Sequence, residues 1–265
     1  MQRARGHLVV DVKFEDGRSA LADLRQDGCM KARFPRPVDW LEIVTLNSSG
    51  GIAGGDRTLA ELRVQAGAKA TFAAQAAERF YRARPDDAPS HVRTRLTIER
   101  AAAAEWLPQE SILFDRCSLD RRLDVDMAAD GWFLGLETLV FGRAAMAETV
   151  AEARIADTIR IQRAGRLILQ DAIRLDGRVA DTLARSAIGA GAGAVATIIL
   201  VARDSAALLD ALRAALAPFE AGASAWDGML VARVAAQDGA CIRAAIVAGL
   251  AVLRGGRALP RVWNC

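Results

Sequence analysis

The chain has 265 residues, a net charge of +3, 52% apolar and 25% charged residues, which is a globular composition with no long tract that looks disordered. Arg and Asp/Glu are too evenly mixed for a nucleic-acid stripe or a membrane-surface patch, so proteins or small ions are the expected partners. Arg3, Arg5, Asp11 and Lys13 interrupt Met1–Phe14, which excludes the apolar core of a secretory signal and leads us to expect a cytoplasmic protein.

Apolar residues alternate at period two through the first two hundred positions, with turn residues every ten or so, predicting strands. The first three are His7–Phe14, Ser19–Leu24 and Trp40–Leu46. Asp16-Gly17 signals a two-residue hairpin, Asp27-Gly28 a second turn, and Pro35 and Pro37 a loop or edge. Three windows of equal length then overlay: Leu62–Arg82, Leu96–Arg116 and Leu123–Arg143. Their landmarks are the opening Leu, then Phe72, Trp106 or Phe133, then Phe80, Phe114 or Phe141, and a closing Arg. Small residues fill the middle of each, so the unit reads as strand, tight corner, strand. Ile159–Asp171, with Ala164-Gly165 at its middle, reads as a truncated fourth copy. Such units cannot bury an apolar face alone and must stack. The predicted fold is mainly β, an irregular β-helical, solenoid-like body, with a β-sandwich as the competing arrangement.

Beyond residue 194 the pattern becomes β-α-β-α: strand Val195–Val201, helix Ala206–Leu216 ended by Pro218, strand Gly228–Ala235, and helix Cys241–Leu253 stopped by Gly255-Gly256. A single domain over 1–265 is expected, its β body at 1–194 and a tail with two C-terminal helices at 195–265 packed on it.

Cys29, Cys117, Cys241 and Cys265 are scattered, and His7 and His91 have no ligand-spaced companions, so no disulfide framework or tight metal cage is signalled. The run from Asn47 to Asp56 carries Gly50, Gly51, Gly54 and Gly55, but lacks phosphate-loop spacing and a following helix. It is either an elaborate turn or a place of close approach. Glu110 and Glu137 fall at one place in successive copies, where paired carboxylates would suit a retaining glycosidase. A β-solenoid carbohydrate-active enzyme is therefore the alternative reading.

Ser49–Arg57, Gln75–Arg82, Glu105–Phe114, Phe141-Gly142-Arg143 with Glu148, and Leu259–Trp263 together resemble the UreD (UreH) family of urease accessory proteins. The resemblance spans about residues 7–263. It implies an extended β-helical fold and a non-enzymatic chaperone that binds apo-urease, UreF and, through UreF, the GTPase UreG. It also implies help with nickel insertion along an internal water-lined tunnel. No tightly bound cofactor is expected, only Ni2+ in transit. By motif match Asp56 is the first carboxylate expected on that path, Asp171 the second and Glu148 the third. Gly50, Gly51, Gly54, Gly55, Gln75, Tyr81, Arg82, Trp106, Pro108, Gln109 and Glu110 are the expected partner-facing or structural motif. The sequence departs from the family at Met146-Ala147-Glu148 and at Ala73-Ala74, and Cys265 has no family meaning.

Overall fold

The computed structural model describes residues 3–37, 39–143, 146 and 148–264; Ala147 and Cys265 therefore lie outside the described residues. The chain begins with β1 (Arg5–Glu15), β2 (Arg18–Gly28), β3 (Met30–Arg33) and β4 (Leu41–Asn47). Asp16 and Gly17 both take positive φ between the paired residues Glu15 and Arg18, giving the predicted hairpin. The coils follow: β5 (Arg57–Val64), β6 (Lys69–Ala74), β7 (Glu78–Phe80), β8 (Ser90–Ile98), β9 (Ala103–Leu107), β10 (Ser111–Leu113), β11 (Ser118–Met127), β12 (Trp132–Phe141) and β13 (Glu152–Arg163).

Each coil gives one strand to a seven-stranded sheet and the next one or two to a ten-stranded sheet. Within the coils, β5, β8, β11 and β13 are parallel neighbours, as are β4, β6, β9 and β12. The solenoid and sandwich expectations thus meet in one object, a flattened coil whose two sheets lie face to face. Inward residues alternate as the period of two requires: Leu62, Val64, Leu96, Ile98, Val125 and Met127 from one sheet pack with Ile43, Phe72, Trp106 and Phe133 from the other.

Three sequence expectations need correction. Leu62 pairs with Leu96, and Phe72 with Trp106, as the windows align, but Leu96 meets Val125 rather than Leu123, and Trp106 meets Gly135 rather than Phe133. A slip of two keeps every side chain on its face, so matching by residue type does not sense it. At the window ends, Leu113 rather than Phe114 pairs with Phe80 and Phe141. The supposed fourth copy is no coil: Ala164 and Gly165, both at positive φ, join β13 to β14 (Arg166–Arg178) as an antiparallel hairpin. Two residues suffice to reverse a strand, whereas crossing to the opposite sheet takes the longer corners seen at residues 65–68, 99–102 and 128–131.

After a short helix α1 (Val179–Ala184), β15 (Ala194–Val201) pairs antiparallel with β12. Helix α2 (Leu209–Leu216), β16 (Glu220–Trp226), β17 (Met229–Ala236) and α3 (Gly239–Leu253) complete the chain. The tail is therefore β-α-β-β-α. Asp238 caps α3 by accepting the Cys241 amide at 2.8 Å. Its inner residues Ile242, Ile246 and Leu250 join Leu212 and Leu216 of α2 over the outer face of the ten-stranded sheet, against Leu134, Leu136, Ile198 and Leu200. The molecule has three layers, with the ten-stranded sheet in the middle.

Candidate functional site

A band of polar side chains crosses the interior between the two sheets, separating the large core from a smaller one built on Ile52, Phe80, Leu113, Leu119 and Ile155. On β5, β8, β11 and β13 it consists of Thr58, Thr94, Arg121 and Asp157; on the facing sheet Thr45, Glu137 and Thr197 continue it. Arg121 is its centre. It donates to both oxygens of Asp157 (2.8 and 2.7 Å) and to Ser111 Oγ (2.6 Å). Its Nη1 also lies 2.8 Å from Glu137 Oε2, off the angle a hydrogen bond needs, so that oxygen has only an ion-pair contact. The other Glu137 oxygen accepts from Trp106 Nε1 at 2.9 Å. Gly135, the strand partner of Trp106, adds no side chain to this crowded face.

Space runs along this band. A cavity of about 100 Å³, room for several waters, reaches from Thr45 and Glu78 past Thr58, Thr94 and Ser111 to Arg121 and Glu137, with exposed Ala76 at its rim. Glu137 also lines a neck of about 10 Å³, close to one water, with Asp157, Asp171 and Thr197. Thr197, Val195, Ala196 and Ile173 in turn border a groove of about 470 Å³ beside Arg233, Glu220 and exposed Ile188. Burial pushes the Glu78 carboxyl up to about 7, against a weaker pull from its Asn47 contact. Burial also raises Glu137, with Arg121 opposing and Asp157 adding to the shift. Burial works against the Arg121 charge, but Asp157 and Glu137 outweigh it and hold the guanidinium protonated.

The sequence motifs meet in two knots outside the band. At one corner of the coil the glycine-rich run lies beneath the Gln75–Arg82 segment. Ile52 and Tyr81 exchange backbone bonds with Arg79 and Ile52 (2.7 and 2.8 Å), and Tyr81 Oη donates to Gly50 O at 2.8 Å. A Cβ on Gly51, whose φ is +137°, would stand 2.4 Å from the Tyr81 ring, so close approach dictates glycine there. The Tyr81 ring meets Phe114 edge-on, and Arg143 stacks on Phe114. In the second knot Glu105, fully buried, accepts from Arg254 (2.9 Å twice), Arg257 (2.7 Å) and Thr71 (2.6 Å). Gln109 donates to Val262 O (2.6 Å) and accepts from Arg243 (2.9 Å), while Trp263 Nε1 reaches Leu107 O (3.2 Å). The Glu105–Glu110 segment, the end of β9 and the link to β10, is thus the anchor of the C-terminal segment.

The sequence model of the UreD urease accessory protein family matches residues 4–264. Urease accessory protein UreD of Dinoroseobacter shibae is 44% identical, covering 100% of this chain and 93% of that protein. Urease accessory protein UreD 3 of Bradyrhizobium sp. strain BTAi1 is 42% identical over 98% and 94% of the two chains, and UreD of Rhizobium leguminosarum bv. viciae 41% over 99% and 96%. This chain belongs to the UreD family.

Against that family's expected path, the three carboxylates fare differently. Asp171 borders the neck, paired with Arg233. Asp56 is buried, but its oxygens accept the Ala4 and Ala53 amides at 2.8 Å each, so it ties the glycine-rich turn to the N-terminal segment outside the cavity lining. Glu148 pairs with Arg143 at 2.6 Å beside the first knot, also outside it. Of the motif residues, Trp106, Pro108 and Gln109 line the cavity; Gly50, Gly51 and Tyr81 form the first knot, Gly54 packs on Ala83 and Asp87, and Gly55 lies by Arg3. Gln75 is tied by its amide to Thr45 O, and Arg82 bridges to Cys117 and borders a cleft with Arg116 and Arg154.

The glycosidase pair does not exist. Ser111 pairs with Leu139, so Glu110 and Glu137 are out of step by one residue and point to opposite faces of the sheet. Glu110 meets Arg243 of α3 at 3.1 Å, while Glu137 points inward to Arg121. His91 stands on β8, 3.2 Å from Asp120. Sequence reading passed over Arg121, Asp157 and Glu78. The first two carry a legible signal: each is a charged residue at an inward position of an apolar alternation, Leu119-x-Arg121-x-Leu123 and Ile155-x-Asp157-x-Ile159.

Proposed function

We propose that this UreD protein serves urease maturation as a non-catalytic scaffold that gives nickel a hydrated passage between two docking faces. The observation that carries the reading is the series of cavities that share walls at Glu137 and at Thr197 along the coil stack, with charged and hydroxyl side chains set at intervals in otherwise largely apolar walls. A divalent ion crossing a protein needs water and a few carboxylates to offset desolvation, whereas a closed cage would trap it. Glu78, Glu137, Asp157 and Asp171 supply spaced carboxylates along the route, and among the described residues no group of three or more His, Cys, Asp or Glu is gathered for chelation. The ion is cargo, with no tightly bound cofactor. The partners are apo-urease, UreF and, through UreF, UreG, in a cytoplasmic hetero-oligomer. Among the described residues no helix is long and apolar enough to cross a membrane.

Thr197 offers the test, being buried and shared by the neck and the groove. Thr197→Leu fills a neck of one water, at a packing cost of about 1–3 kcal/mol. It is expected to leave the complex with apo-urease and its accessory proteins assembled while lowering nickel per urease active site, measured by metal analysis. Thr197→Val, matched in shape, is expected to deliver nickel normally. Full metallation by an assembled Thr197→Leu complex would remove the conduit and leave only the docking role.

A further inference from the structure

We propose that Arg121 is the residue that keeps the passage from capturing its cargo, because its guanidinium occupies the carboxylate pair that would otherwise chelate a divalent cation. The inference rests on the conduit reading and assigns a specificity-determining residue within it.

Glu137 and Asp157 come from opposite sheets and converge on one side chain, Glu137 at 2.8 Å and Asp157 at 2.8 and 2.7 Å. Both carboxylates are more than nine-tenths buried, and both line the neck. Two such groups from facing strands offer the hard oxygen ligands that divalent cations take. Asp157 is fully engaged by the bidentate fork, whereas Glu137 Oε2 is buried without a hydrogen bond. It is therefore the one oxygen of the pair that accepts no hydrogen bond, held only by the Arg121 ion-pair contact that an arriving ion would have to share. The third Arg121 contact, Ser111 Oγ at 2.6 Å on the cavity side, holds the guanidinium in place and offers it somewhere to remain when a carboxylate is lent. An ion entering the neck must share its two ligands with a fixed positive charge, so attraction and repulsion nearly balance. The site is then one of passage, not of storage.

The experiment is nickel binding to the full-length chain, with Ni2+ alone competed against a chromogenic chelator. Arg121→Met should bind Ni2+ at least about tenfold more tightly than the unaltered protein, since a unit charge within a few ångströms is removed from a poorly screened site. Arg121→Lys, which keeps the charge, should stay weak. Arg121→Met combined with Glu137→Gln should lose the gain, which locates the ion at this pair. Thermal unfolding identifies folded variants; should Arg121→Met not fold, Arg121→Gln, which retains a donor for one carboxylate, is titrated in its place. An affinity unchanged by either neutral substitution overturns the proposal, as does a gain that survives loss of the Glu137 carboxylate. These titrations do not depend on transfer, so an ineffective Thr197→Leu would overturn the conduit while Arg121 is judged separately.

Discussion

Glu78 stands on β7 where the cavity begins, and burial lifts its carboxyl from an ordinary 4.5 to about 7. The folded pKa lies above the unfolded one, so the folded state binds the proton more tightly. Its contribution is favourable below pH 4.5 and is lost as pH rises toward 7, beyond which a buried charge costs about 3 kcal/mol. Glu78→Gln is therefore expected to raise unfolding free energy at pH 8 by a similar amount. The difference should shrink toward zero by pH 5, as measured by urea titration across that range. A flat difference between pH 5 and 8 would show that the carboxyl is not held neutral. Nothing in the sequence around Glu78 marks this: its burial arises from β10 and Asn47 closing over it, contacts made by residues distant in the chain. Asp56 teaches the converse. A tight turn at the end of four glycines needs an acceptor for its amides, and the Asp56 carboxylate supplies it by taking those of Ala4 and Ala53.

At the level of elements, the Asp16-Gly17 hairpin was legible between its alternating runs, and the long helices from their apolar spacing, whereas Asp27-Gly28, expected as a turn, stays paired with His7 and Gly6 at the end of β2. Strand β16 was not seen, because Glu220–Trp226 is built of Ala, Gly and Ser between its ends, residues with little β preference. Its pairing with β17 through positive-φ Asp227 and Gly228 supplies what propensity does not. Helix α1 has only six residues and no side-chain cap, too short to show a period. The β9–β10 segment was recognised as a motif, but its task as the anchor of the C-terminal segment required distances across some 150 positions. Glu105→Ala should leave Arg254, 6% exposed, without its partner and cost about 3–5 kcal/mol in denaturant unfolding. Replacing both residues by Met should restore most of that loss, because the penalty lies in the stranded charge. If the single change costs under 1 kcal/mol, the knot is ornamental.

For the molecule as a whole, the decisive fact is that one sheet serves two cores. Its inward residues face the coil interior and its outward residues face α2 and α3, so the helical layer cannot loosen without disturbing strands shared by both. Trp263→Ala, which empties a site only 4% exposed in the outer core, is expected to cost about 3–5 kcal/mol. Amide exchange should quicken together in β9 and β12 and in β8 and β11, which Trp263 never touches. Exchange confined to the helices would mean the layers unfold independently. Composition and repeats suggested stacking, while the choice between coil and sandwich stayed open because both satisfy a period of two. Strand pairing resolved it.

The cavities follow the stacking direction, crossing β4, β6, β9, β12 and β15 in turn rather than running along any strand. Each turn of chain therefore adds one strand spacing, roughly 4.8 Å, to the separation of the two mouths. The number of turns works as a ruler. Removing one would bring the two mouths closer by that fixed step, so their separation is written into the repeat count itself.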